Sequence, residues 1–122
     1  MKKWNYQKGK TGEDIAVNFL IKKGYRIIKR NLQNRFGEID LITAIPKVLV
    51  FVEVKLKIGN AFGSPEEMIT PTKIKQIRRM AELYLQQNPQ LKFPQQRIDA
   101  ICIVLNEDQT IQRINHYENL LQ

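Results

Sequence analysis

Cysteine, histidine and tryptophan each occur once in the 122 residues, and no apolar run approaches the length needed to span a membrane. One cysteine rules out an internal disulfide and fits a reducing compartment. Cys102 lies inside the apolar run Ile98 to Leu105, where it reads as a small core residue. The chain holds no metal-binding cysteine cluster, no Ser/His/Asp or Cys/His nucleophile set and no phosphate-cradling glycine loop. His116 falls in the weak last element, away from the acidic residues discussed below, and reads as structural. No apolar h-region follows Lys2 and Lys3, so a secretory signal is not expected and the expected location is the cytoplasm. Repeats, low-complexity tracts and linkers are missing too, which predicts a single domain over residues 1–122.

Negative charge is also scarce. Twelve Asp+Glu stand against twenty Lys+Arg, a net charge of +8. That balance favours a polyanionic partner such as nucleic acid and gives no reason to expect a membrane.

The few carboxylates stand where apolar side chains are expected. In Val48 to Leu56, Val48, Val50, Val52, Val54 and Leu56 form one apolar face, while the other reads Leu49, Phe51, Glu53, Lys55. Side chains two apart on a strand share a face. Glu53 and Lys55 therefore point the same way, at the charged end of a strand whose beginning is core. Upstream, Ile39 to Thr43 carries Asp40. If the two runs form a hairpin, a four-residue loop (Ala44 to Lys47) makes Glu53 a same-face diagonal neighbour of Asp40. A two-residue loop (Pro46-Lys47) places them opposite each other. The four-residue loop is expected, because Pro-Lys does not suit tight turns that want positive φ. Either register puts Asp40, Glu53 and Lys55 on one face; a one-residue slip would not. Two carboxylates about 4 Å apart repel by roughly 4 kcal/mol at an effective dielectric near 20. Lys55 offsets part of that. A divalent cation offsets more, and hard oxygen ligands suit Mg²⁺ or Mn²⁺. The competing reading is a solvated Glu53–Lys55 salt bridge, which the preceding Leu49 and Phe51 argue against.

The remaining elements frame this hairpin. A helix is predicted from about Thr11 to Lys23, with Thr11 as its cap and Gly24 as its stop. Glu13 falls on its apolar stripe with Ala16, Val17 and Leu20, and is either a partner of the helix dipole or a site residue. Tyr25 to Arg30 reads as a strand and Asn31 to Phe36 as a polar, basic connection. Gly59 to Thr70 reads as a loop with a helical turn near Glu66 to Ile69. Thr70-Pro71 starts a second helix running to Gln87. Arg97 to Leu105 is a further strand, and Thr110 to Tyr117 an edge strand. Lys73, Arg78 and Arg35 are candidate phosphate contacts, whereas Lys75 and Arg79 read as a solvated face.

The order helix, three strands, helix, two strands, with Asp on the second strand and Glu-x-Lys on the third, resembles the PD-(D/E)xK nuclease core. More closely, the chain resembles the YraN-like family of small bacterial proteins, relatives of Holliday junction resolvases. The resemblance rests on Gly9 to Ala16, Asn31 with Gly37 to Ile42, Phe51 to Lys55, Phe62 to Pro65 with Lys73, and Arg97 to Asp99. It implies an α/β, restriction-endonuclease-like core: αβββαβ plus an edge strand, with a mixed sheet of about five strands flanked by two helices. It also implies a Mg²⁺-dependent DNA endonuclease, with branched DNA as a candidate substrate and a homodimer left open. Asp40 and Glu53 would hold the metal, Lys55 would orient water or phosphate, and Glu13 would match the resolvases' helix-one glutamate. The proline that names the superfamily motif is replaced by Ile39. The alternative is a non-cleaving nucleic-acid-binding module of recombination, repair or DNA uptake.

Overall fold

The computed structural model describes residues 2–59 and 62–120, with side chains from Thr11 onward. Helix α1 spans Lys2–Lys22, and strands β1 (Arg26–Asn34), β2 (Gly37–Ile45) and β3 (Val48–Ile58) follow as an antiparallel meander. A 3-10 turn at Pro65–Met68 leads into helix α2 (Pro71–Gln87), which carries the chain across to β4 (Gln95–Leu105). β4 lies parallel to β3, and β5 (Ile111–Tyr117) closes the sheet as an antiparallel edge. The spatial order is β1-β2-β3-β4-β5 in a single five-stranded sheet. This is the restriction-endonuclease-like α/β core: a mixed five-strand sheet with two helices.

The alternation in β3 builds two cores. Val50 and Val52, with Leu41, Ile101 and Ile103, pack under Ala16 and Leu20 of α1. Leu49 and Phe51, with Ile42, Ala44 and Ile98, pack under Ile77, Met80 and Ala81 of α2. Gly12 lets α1 sit close: a Cβ there would stand 3.3 Å from Leu56 Cβ. Gly24 ends the helix with φ +92°, while the Tyr25 N–H donates back to Leu20 O at 2.9 Å. At α2, Thr70 Oγ1 accepts from the Lys73 N–H at 3.1 Å and Pro71 occupies the first turn, as the Thr-Pro pair predicts. Such a cap contributes about 1 kcal/mol.

Three expectations need correction. The first helix starts at Lys2, so Thr11 lies inside it rather than capping it. Asn31 to Asn34 continue β1 instead of forming a connection; the turn is only Arg35-Phe36, where the Phe36 N–H donates to Asn34 Oδ1 at 2.8 Å. In that half of β1, Leu32 packs toward α2 while Asn31, Gln33 and Asn34 are exposed, which hides the strand from any search for apolar runs. Finally, the β2–β3 loop has two residues: Ile45 pairs with Val48, and the ladder runs to Leu41 opposite Val52.

Neither Pro46 nor Lys47 has a positive φ, so the turn is not a mirror-image type. Burial decides the register instead. Pairing Ala44 and Ile45 buries the first and packs the second against the α1 core. The Gln95 N–H then ties the turn to β4 through Lys47 O at 3.2 Å. Of the connection expected from Gly59 to Thr70, Asn60 and Ala61 lie outside the described residues.

Candidate functional site

Continuing the observed register sets Asp40 opposite Glu53, at the point where β2 and β3 stop pairing. Here the alternation of β2 breaks: Ile39 packs toward α2 and Leu41 toward α1, though they are two residues apart. Asp40 bridges the fork, its Oδ2 accepting from the Val54 N–H at 2.8 Å. Glu53 is 2% exposed, buried like a core residue. Its Oε2 has no hydrogen-bond partner among the described residues. Lys73 Nζ, reaching in from the first turn of α2, lies 3.4 Å from that oxygen without the alignment of a hydrogen bond.

The charges are strongly coupled. Burial pushes the Glu53 carboxyl up to about 8; a proton shared with Asp40 and the negative charge of Asp40 act in the same direction. Lys73 and, to a smaller degree, Lys55 oppose them. Glu13 stands at the rim from the α1 side. Burial and then the charge of Asp40 hold its carboxyl above the usual range, while Arg30, 3.8 Å away, pulls it back. Arg30 is held in turn by Asp14 at 2.6 Å.

The structure thus brings Glu13, Asp40, Glu53, Lys55 and Lys73 to one end of the sheet. It does not bring Arg78, whose ion pair is with Glu82 one turn on and whose side chain is 65% exposed. Arg35 lies at the tip of the β1–β2 hairpin, against the Phe36 ring. The start of α2 is fixed from below. Glu66, in the 3-10 turn, accepts from Arg113 at 2.6 and 2.9 Å and from the Tyr117 hydroxyl at 2.7 Å, fastening it to β5. Cys102 sits beneath the cleft, fully buried, its thiol pushed up to about 12 by burial and so kept protonated.

As donors for a metal, the residues offer two adjacent carboxylates. One has an unsatisfied buried oxygen, and a lysine stands where positive charge is needed. Among the described residues no three His, Cys, Asp or Glu side chains form a ligand group. Two carboxylates with open positions suit Mg²⁺, which keeps several waters, better than a metal requiring a full protein cage. Lys73→Ala is expected to destabilise the fold by on the order of 2 kcal/mol at pH 9, where it leaves a buried carboxylate unpaired, and little at pH 5, where Glu53 is neutral. Urea unfolding at the two pH values measures this; equal losses would mean that Lys73 does not balance Glu53.

Sequence reasoning missed a second polar cluster, on the α1 side of the sheet. Asp99, fully buried, accepts from Arg97 at 2.9 and 3.0 Å and from the Asn119 N–H at 3.0 Å, and it meets His116 Nε2 at 2.8 Å. Arg97 also donates to the Tyr25 hydroxyl at 2.7 Å, and Lys23 Nζ lies 2.8 Å from His116 Nδ1. An ammonium can only donate, so Nδ1 accepts and Nε2 carries the proton to Asp99. Burial alone would raise the Asp99 carboxyl, but bonds from His116, Arg97 and Asn119 outweigh it and hold it low. The one available signal was Arg97-x-Asp99 on an apolar strand, the same pattern as Glu53-x-Lys55 with the signs exchanged.

Fold and cleft together define a nuclease-like α/β core with an acidic pocket at the fork of its second and third strands. Residues 12–103 match the family described as "Uncharacterised protein family UPF0102". A UPF0102 protein of Syntrophomonas wolfei is 41% identical over 115 residues, covering 94% of this chain and 97% of the relative. One from Persephonella marina is 44% identical over 103 residues, covering 84% and 88%. One from Caldanaerobacter subterraneus is 39% identical over 121 residues, covering 98% of both. The chain belongs to UPF0102, the YraN family. Among the described residues no helix is long and apolar enough to cross a membrane.

Proposed function

We propose that this protein is a divalent-metal-dependent endonuclease that hydrolyses phosphodiester bonds in DNA, with branched DNA as its substrate class and the cytoplasm as its site of action. The observation that carries the reading is the buried carboxylate pair, Asp40 and Glu53, with an unsatisfied Glu53 oxygen beside two lysines. Well-packed apolar residues in place of such a cluster are often as stable or more so, so stability alone does not account for it. Asp40 and Glu53 would hold Mg²⁺ or Mn²⁺. A bound divalent ion neutralises phosphoryl oxygens and lowers the pKa of water.

The chain's own residues do the rest. Asp40 is oriented by the Val54 N–H, which donates to its Oδ2. Lys55, on the same face as Glu53, presents three donors to a phosphate or to the attacking water. Lys73 balances Glu53 until the phosphate enters and is then free to contact it. Glu13, with its carboxyl raised, can hold or accept a proton at the rim. The net charge of +8 contributes sequence-independent affinity for the backbone, with Arg35 near the cleft contributing more than the Glu82-paired Arg78.

The test is cleavage of labelled four-way, flap and linear DNA by purified protein in Mg²⁺ or Mn²⁺, with Glu53→Gln in parallel. Metal-dependent cuts absent from the variant support the proposal. Tight DNA binding without cleavage of any substrate would leave the non-cleaving module as the correct reading.

A further inference from the structure

The tip of the β1–β2 hairpin is built more elaborately than a turn requires. The guanidinium of Arg35 lies 4.9 Å from the centroid of the Phe36 ring, and that of Arg79, on α2, lies 4.8 Å from it. Neither arginine has a carboxylate partner within 4.0 Å among the described residues. The face of the ring attracts both cations and so gathers them at the hairpin tip. The tip itself cannot drift. Gln76 Nε2 donates to Phe36 O at 2.5 Å, and Gly37, with φ +139°, leaves room for that amide where a Cβ would collide with it.

Beside this pair opens a recess of about 610 Å³, lined by Leu32, Asn34, Arg35, Phe36, Leu83 and Gln87 among others. Its lining is mixed, Leu32, Phe36 and Leu83 alternating with polar Gln33, Asn34, Arg35 and Gln87, and its size falls within the range of small-molecule sites. Asn34 uses its Oδ1 on the Phe36 N–H, leaving its Nδ2 to donate elsewhere. Lys73, Gln76, Arg79, Leu83 and Gln87 succeed one another at three- and four-residue steps, and so form one stripe of α2. That stripe runs from the carboxylate cleft to the recess. Lys73 and Arg79 are roughly 9 Å apart along the helix axis, on the scale of two or three phosphates of one strand at about 3.4 Å each.

We propose that this recess is a subsite for one unpaired nucleotide of the bound strand. Its base lies between Leu32, Phe36 and Leu83, its edge meets the Asn34 and Gln87 amides, and its phosphate is held by Arg35 and Arg79. The inference rests on the nucleic-acid reading above and narrows it: a base can enter such a recess only where the strand is unpaired, at a branch, flap or end. Stacking supplies the affinity, and the bidentate guanidiniums set the register of the strand on α2.

The experiment compares binding of a blunt duplex with the same duplex carrying a five-nucleotide overhang, by fluorescence anisotropy in EDTA so that nothing is cut. Wild type is expected to prefer the overhang by about tenfold. Phe36→Leu, which keeps both charges, and Gln87→Glu, which places a negative charge on the exposed side of the recess, should each bring that ratio close to one. Arg35→Ala combined with Arg79→Ala should flatten the salt dependence of overhang binding by about 0.7 log–log units, for the one single-strand phosphate that they hold. The same ratio in Glu53→Gln as in wild type keeps the subsite separate from the carboxylate cleft. Equal wild-type affinity for both DNAs overturns the subsite but leaves the nuclease reading standing, as does a preference that survives both Phe36→Leu and Gln87→Glu. Failure of the wild type to bind either DNA overturns both.

Discussion

Glu53→Gln is expected to lower metal-dependent cleavage by roughly a thousandfold or more, the several kcal/mol that a bound divalent ion contributes to charge stabilisation. The same change should remove the thermal shift expected of Mn²⁺ on the wild type, on the order of 10 °C at a hundredfold excess over Kd. The fold should survive. In the folded state the Glu53 carboxyl is raised from an ordinary 4.5 to about 8, so between those values the native protein binds a proton that the unfolded chain has released. Stability from this group is therefore full below about pH 4.5 and is lost as pH rises towards 8, by roughly 1.4 kcal/mol per pH unit. Glutamine cannot ionise, so the variant should match wild type near pH 5 and exceed it near pH 8. Asp40→Asn should abolish the Mn²⁺ shift as well, while its amide oxygen keeps the Val54 N–H bond. Thermal melts with and without Mn²⁺, with urea titrations from pH 5 to 8, decide the matter. A variant that simply unfolds, or a wild type whose melting ignores the metal, contradicts the assignment.

Asp99→Ala should destabilise the fold by about 3–5 kcal/mol. It takes their carboxylate from Arg97 and His116, which are 16% and 4% exposed in their side chains, leaving Arg97 only Glu118 at 3.4 Å and the Tyr25 hydroxyl, and it leaves the Asn119 N–H without its acceptor. The sign of its pH dependence is opposite to that of Glu53. The Asp99 carboxyl is held low, so its contribution is full above the ordinary aspartate range and is lost as pH falls through its folded value. Denaturant unfolding of wild type and Asp99→Ala at pH 7 and pH 3 should show the difference shrinking in acid. A loss under about 1 kcal/mol at pH 7 would mean that the cluster is not a buried ionic lock.

Much of this arrangement was legible because it is local. The unbroken valine face of Val48 to Leu56 dictates a buried strand, and Glu53 and Lys55 share its other face by parity alone. Thr70-Pro71 likewise fixed the start of α2 without tertiary information. What could not be read depends on other elements. Both candidate registers of the β2–β3 hairpin keep the same faces inward, so the pattern cannot separate them; only the burial of Ala44 on the α2 side and the packing of Ile45 on the α1 side do. The second half of β1 has a polar face in water and a single leucine inside, and reads as coil. Charge and its place at the start of α2 mark Lys73 as a phosphate contact, but its pairing with Glu53 emerges only when α2 crosses the sheet. Arg97, Asp99 and His116 meet through strand pairing and the end of α1, none of which their spacing encodes.

Sequence separation divides the cleft into two histories. The Asp40–Val54 bond closes a separation of 14 residues within one hairpin. That is a short closure, of the kind that forms in microseconds and needs no other part of the chain. Lys73 reaches Glu53 only through the crossover that lays β4 parallel to β3, the non-local pairing that sets the pace of folding in such topologies. By sequence separation, the acid pair is expected to form before its counter-charge arrives. Until α2 docks, Lys55 and the surrounding water moderate the Asp40–Glu53 repulsion, and Lys73 joins them only when the crossover is complete.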